Sequence, residues 1–189
     1  NFFSDETNEH MVYPGMVYIS FPTEYGTLYS AGELSEIHNI CIEYGIPLYV
    51  DGARLGYGIM AEENDVTLEY LAHNCDIFYI GGTKVGAMFG EAVVIPNKGS
   101  IPHFFTMIKQ KGALLAKGWL LGVQFDTLFT DDLYFKIAEN AILRANEIKR
   151  IFAEKGYRFY INSPTNQIFI IMEDEKIREL KNNVSFGFW

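Results

Sequence analysis

Pro47-Leu48-Tyr49-Val50-Asp51-Gly52-Ala53-Arg54-Leu55 is a short apolar run that ends on an aspartate and turns at a glycine. Further along, Asp76-Ile77-Phe78-Tyr79-Ile80 runs into Gly81-Gly82-Thr83-Lys84-Val85-Gly86, and a third apolar run, 91–95, follows. Apolar runs of this length bounded by glycine turns are strands. Upstream, Ser30 followed by Glu33 is a capping box, and Leu34, Ile37, Cys41 and Tyr44 repeat at helical spacing until Gly45 closes the element. With a strand at 16–20 before it, this helix joins two parallel strands by a right-handed crossover. A second short helix, 66–73, precedes the next strand. The alternation predicts an α/β fold: a mostly parallel sheet with flanking helices. Ligands in such sheets collect beyond the carboxyl ends of the strands, and Asp51 and Lys84 occupy two such ends.

From about residue 103 the pattern turns helical. Leu114, Leu115, Trp119, Leu120, Val123 and Phe125 lie along one long segment, and a second helix spans 131–154 with Gly156 at its end. Strands are predicted at 157–161 and 167–172, on either side of Asn162-Ser163-Pro164, and a helix at 174–181. This change of pattern suggests a smaller α+β domain beginning near residue 130 and divides the chain into 1–130, in a larger ligand-binding domain, and 131–189. The chain opens on Asn1 and stops at Phe186-Gly187-Phe188-Trp189, so both ends read as cuts in a longer polypeptide.

With 189 residues, 49% apolar and 21% charged, the chain has globular composition and is long enough to bury a sizeable core. A net charge of −9 and a pI near 4.9 argue against nucleic acid or an anionic membrane surface as partner, because both reward clustered lysine and arginine. The one dense basic group is Lys109, Lys111 and Lys117. No signal peptide or membrane-spanning run is evident. Cys41 and Cys75 lie on apolar faces and read as reduced core thiols of a cytoplasmic protein.

Lys84 in its tight glycine turn is the first candidate for chemistry. A lysine that attacks a carbonyl must be neutral, which burial and nearby positive charge favour. The aldehyde suited to such a lysine is pyridoxal 5'-phosphate, whose pyridinium nitrogen requires a carboxylate partner, and Asp51 can supply it. At about 4 Å and an effective dielectric near 20, that pairing is worth roughly 4 kcal/mol. Arg54 can fork onto a substrate carboxylate, and the Thr83 hydroxyl suits a phosphate oxygen. Each residue also has a plain alternative: a solvated turn lysine, a turn-forming aspartate, and an arginine paired with an acidic neighbour. Gly56-Tyr57-Gly58-Ile59-Met60-Ala61 imitates a dinucleotide-binding pattern but starts too far beyond the strand end. The four histidines have no metal-site spacing, so no metal is expected.

The run from Pro47 to Leu55 resembles the strand-end motif of threonine aldolases, and Asp76 to Lys84 is similar to their lysine strand. Val17-Tyr18-Ile19-Ser20-Phe21-Pro22-Thr23-Glu24 with Gly26-Thr27 resembles them as well. The resemblance covers most of the chain and is strongest over 16–95. It implies a fold-type I pyridoxal phosphate enzyme in which Lys84 bonds the cofactor, Asp51 faces its ring nitrogen, Arg54 binds the amino acid carboxylate and Thr23 approaches the ring. It further implies a homo-oligomer, a dimer of dimers, with Lys117 in the region that sends positive charge toward a neighbouring subunit's cofactor phosphate. The implied reaction is cleavage of β-hydroxy-α-amino acids, threonine to glycine and acetaldehyde being the type. The phosphate-binding glycine loop and the ring-stacking histidine of the family are not found in this chain. A β-eliminating lyase acting on an aromatic or sulfur amino acid is the enzymatic alternative, and an inactive α/β interaction module the non-enzymatic one.

Overall fold

A computed structural model describes residues 2–185; the aromatic stretch at 186–189 lies outside the described residues. Four strands form the main sheet: β1 (Val17–Ser20), β2 (Leu48–Asp51), β3 (Ile77–Gly81) and β4 (Glu91–Val94), in that spatial order. β1, β2 and β3 run parallel and β4 pairs antiparallel with β3, so the sheet is mostly parallel with one reversed edge. Helix α1 (Ala31–Tyr44) connects β1 to β2, as expected. It starts on the reciprocal Ser30 and Glu33 capping box and ends at Gly45, whose left-handed φ of 63° an L side chain would resist. The short helices α2 (Leu55–Ile59) and α3 (Leu68–His73) lie between β2 and β3.

Strand parity decides where the core sits. Leu48, Val50, Phe78 and Ile80 point to one face and are buried beneath the helices, together with Leu34 of α1 and Leu55 of α2. The opposite face carries Tyr18, Tyr49, Asp51 and Tyr79 and is half-open. A run such as Leu-Tyr-Val reads as buried on both sides, yet tyrosine has an apolar body and a polar tip. Its ring can line a sheet while its hydroxyl stays available.

Beyond β4 the single long helical segment expected from the pattern is two helices, α4 (Phe104–Gln110) and α5 (Trp119–Phe129). Gly112, at φ 70°, ends the first, and the exposed segment 111–118 separates them. Helix α6 (Leu133–Glu154) follows left-handed Asp131 and Asp132 and packs its buried stripe of Tyr134, Ala138 and Ile142 against α2 and the main core. The strands after it are shorter than the pattern predicts: β5 (Arg158–Phe159) and β6 (Ile170–Ile171) pair antiparallel over two residues each, before α7 (Asp174–Leu180). No helix among the described residues is long and apolar enough to cross a membrane.

Candidate active site

The carboxyl ends of β2 and β3 touch through backbone. The Gly81 N–H donates to the Gly52 carbonyl at 2.9 Å. A Cβ at Gly52 would lie 1.9 Å from the Tyr79 carbonyl oxygen, and one at Gly81 would lie 2.2 Å from the Ala53 oxygen. Only glycine lets the aspartate turn and the lysine turn run this close together. Two tyrosines fasten the contact from below. The buried Tyr134 hydroxyl accepts from the Gly56 N–H at 3.0 Å and donates to the Gly81 carbonyl at 3.1 Å, and the Tyr57 hydroxyl donates to the Lys84 carbonyl. Burial is the main reason both phenols hold their protons more tightly than a free tyrosine.

Asp51 sits on the half-open face. Its Oδ1 accepts from the Ala53 N–H at 2.9 Å and from the Tyr79 hydroxyl, and its Oδ2 accepts from the Tyr18 hydroxyl. Burial alone would raise its pKa. The bonds from Tyr18, Tyr79 and Ala53, with the positive charge of Lys84, outweigh that and hold the carboxyl below the usual aspartate range. The donors respond in the opposite sense: its hydrogen bond to Asp51 pushes Tyr18 up to about 12, while burial and the bond to Asp51 raise Tyr79. A carboxylate with three donors is an anion waiting for a cation or a further N–H.

Lys84 lies in the turn beyond β3 with its side chain exposed, rather than buried as the glycine surroundings suggested. What the chain places around it is tightly packed backbone, with Gly82 and Val85 buried on either side. Thr83 is also exposed, its hydroxyl 3.5 Å from Glu91 Oε1, while Glu91 Oε2 accepts from the Gly82 N–H at 2.7 Å. Arg54 Nη1 lies 3.2 Å from Glu24 Oε2, so the plain alternative of an acidic neighbour describes its state here. Thr23 is half-buried, its hydroxyl 2.6 Å from that of Thr27. Lys117 stands in the exposed segment before α5, and the structure does not bring it into contact with Asp51 or Lys84.

The sequence reading missed the tyrosines. Tyr18 and Tyr79 were visible only as apolar strand residues. They lie on different strands from Asp51, so both the shared face and the contact with its two oxygens depend on strand register, which the sequence does not display. Glu24 and Gln167 were also missed. Gln167 donates from Nε2 to the Glu24 carbonyl, and Ser163 and Thr165, both buried, donate to the Gly26 carbonyl at 3.1 and 3.3 Å. The segment between β5 and β6 thus docks on the Thr23–Thr27 turn beside Arg54.

An acid held as its anion and an exposed primary amine therefore share the ends of adjacent parallel strands, near enough for the amine's charge to lower the acid's proton affinity. A family model described as "Beta-eliminating lyase" matches residues 3–168, most of the chain, and the chain belongs to that family. Among individual relatives it is similar to a low specificity L-threonine aldolase of Pseudomonas aeruginosa, 28% identical over 174 residues, covering 91% of this chain and 50% of the relative. A solved threonine aldolase of Leishmania major superposes with a TM-score of 0.87 at 46% identity, covering 93% of this chain and 51% of that one. A Listeria monocytogenes structure, 22% identical with a TM-score of 0.62 over 80% of this chain and 42% of its own, shares the fold alone. The chain spans about half the length of the curated relatives it matches.

Members of this family depend on pyridoxal phosphate, and the donor set here fits that group: a charged carboxylate for a ring N–H and a primary amine for an aldehyde.

Proposed function

We propose that the protein is a pyridoxal phosphate-dependent lyase that cleaves β-hydroxy-α-amino acids, with threonine to glycine and acetaldehyde as the type reaction. The observation that carries this reading is the pairing of Asp51 and Lys84 at touching strand ends, made possible by Gly52 and Gly81. When bound, the cofactor supplies the electron sink that breaking a bond at the substrate's α-carbon requires. Lys84 would hold it by its amine, and Asp51 would keep the proton on its ring nitrogen. Thr83 would offer a hydroxyl to the phosphate and Thr23 one to the ring. Arg54 would bind the substrate carboxylate; its exposed pair with Glu24 is worth only about 0–1 kcal/mol, so a second carboxylate can displace it.

The finer parts of the reading rest on other features. Residues 1–130 form a larger cofactor-binding domain and 131–189 a smaller one; the left-handed Asp131 and Asp132 mark the turn between them, although α6 packs its buried stripe back on the core of the first. The protein works as a homo-oligomer, a dimer of dimers, with Lys117 serving a neighbouring subunit's phosphate. Met88, Phe105 and Trp119 are exposed apolar side chains of the kind a second copy could cover. A cytoplasmic setting accords with Cys41 and Cys75, both buried free thiols, the latter pushed up to about 12 by burial and by Asp76.

The test uses the full-length protein loaded with pyridoxal phosphate. A visible absorption band that Lys84→Ala abolishes, with glycine and acetaldehyde formed from threonine, is the expected result. 2-Oxobutyrate and ammonia from threonine, or pyruvate and ammonia from an aromatic or sulfur amino acid whose side chain leaves from Cβ, would instead favour β-elimination, the reaction in the family's description. No band at all would favour the non-enzymatic α/β module, and a band that survives Lys84→Ala would overturn the role given to Lys84.

A further inference from the structure

Helix α2 starts just past the Asp51 turn and is tied to it by backbone: the Leu55 N–H donates to the Gly52 carbonyl at 2.9 Å and the Tyr57 N–H to the Arg54 carbonyl at 3.0 Å. The helix has little room to shift. A Cβ at Gly56 would lie 2.9 Å from Tyr134 Cε1, one at Gly58 would lie 2.9 Å from Pro22 Cδ, and Leu55 and Tyr57 are buried. From this platform the Tyr57 hydroxyl donates to the Lys84 carbonyl. The next residue, Val85, is fully buried, and its N–H donates to the Gly82 carbonyl at 2.9 Å. The backbone of the lysine is thus held by the helix that the aspartate's own turn begins, through contacts made inside the chain. Ordering a lysine side chain costs up to about 2 kcal/mol of rotamer freedom, so what the fold can fix beforehand is the backbone from which the side chain leaves.

We propose that Tyr57 is a positioning residue for Lys84: by holding the Lys84 carbonyl against α2 it sets the span between the root of the amine and Asp51, which one rigid ring must bridge. The ring's identity rests on the function proposed above; the span rests on the bonds of α2. In the bond so prepared, the Lys84 nitrogen joins the aldehyde carbon by a double bond, and the aldehyde oxygen leaves as water with the two protons of the neutral amine. Tyr57 exchanges no proton in that step. Tyr134 bonds both turns at once, so its loss disturbs both ends, whereas the Tyr57 hydroxyl bonds the carbonyl of the lysine itself.

The experiment compares full-length wild type with Tyr57→Phe, with para-aminophenylalanine at position 57, and with Tyr70→Phe, which removes a bond of the same kind, to the Ala31 carbonyl at 2.7 Å, between α3 and α1. The ring stays in place in every variant, and urea unfolding checks that each is native. All are titrated with pyridoxal phosphate, which can bond the amine, and with pyridoxamine phosphate, which has no aldehyde and cannot. Tyr57→Phe should weaken the aldehyde form by about three- to ten-fold, the worth of one hydrogen bond, and leave the amine form within about two-fold. The para-amino variant keeps a donor at the same place and should recover most of the loss; Tyr70→Phe should move neither form. Equal losses for the two forms, or no loss for the aldehyde, overturn the role given to Tyr57 and leave the proposed function intact. A wild type that takes up neither form overturns both.

Discussion

Asp51 is an acid whose surroundings favour its charged form, and the sign of that preference sets a pH dependence. Its folded pKa lies below the ordinary aspartate value of about 4. Its contribution to stability is therefore complete above that pH and is lost as the pH falls through the folded value. Asp51→Asn should flatten the acid limb of a plot of unfolding free energy against pH; an unchanged limb would show that other carboxylates set it. At Gly81 the prediction is steric. Gly81→Ala puts a methyl 2.2 Å from the Ala53 oxygen, and backbone cannot swing aside as a long side chain can. A loss of at least about 1–3 kcal/mol in urea unfolding is expected, with the cofactor weakened because the two strand ends are pushed apart. Glu24 makes the milder case. Releasing Arg54 by Glu24→Gln should lower KM for the amino acid by up to about five-fold with kcat little changed, the size of a surface ion pair.

The elements divide into those whose signals are local and those whose signals are not. Helix α1 was readable from end to end because its capping box and its closing glycine sit in its own sequence. Ser30→Ala should accordingly cost about 0.5–2 kcal/mol by chemical denaturation. Strands β2 and β3 were equally plain, and with them the positions of Asp51 and Lys84. The break between α4 and α5 was not, because apolar residues continue at helical spacing on both sides of Gly112, whose left-handed turn interrupts the path without interrupting the pattern. The docking of the 163–167 segment depends on contacts across a long stretch of chain, and the antiparallel sense of β4 on how the loop 82–90 returns to β3. The same holds for Lys149, whose ammonium donates to the Ser163 and Thr165 carbonyls at 2.6 and 2.7 Å and whose pKa is lowered by burial. In sequence it is one more basic residue on the amphipathic helix α6. Lys149→Met leaves both carbonyls short of a donor and should lower stability by about 1–3 kcal/mol, with the turn at 163–165 loosened first in hydrogen exchange.

For the molecule as a whole, one sheet face is sealed by helices and the other presents a shallow floor of phenols around a carboxylate. The exposed Phe105 and Trp119 test the proposed homo-oligomer: Phe105→Glu with Trp119→Glu should move the mass measured by sedimentation toward that of one chain. Unchanged mass would exclude these two side chains from any contact between copies. Tyr134 has a different reach, since its hydroxyl is bonded at once to the turn after Asp51 and to the end of the lysine strand while its ring is anchored in α6. The Gly56 amide is thus held by a side chain arriving from a distant helix, and its deuterium uptake becomes a built-in gauge of whether that helix is seated. Slow uptake in wild type and fast uptake in Tyr134→Phe, with the flanking amides little altered, would let the seating of a remote helix be followed at the rim of the candidate site, one proton at a time.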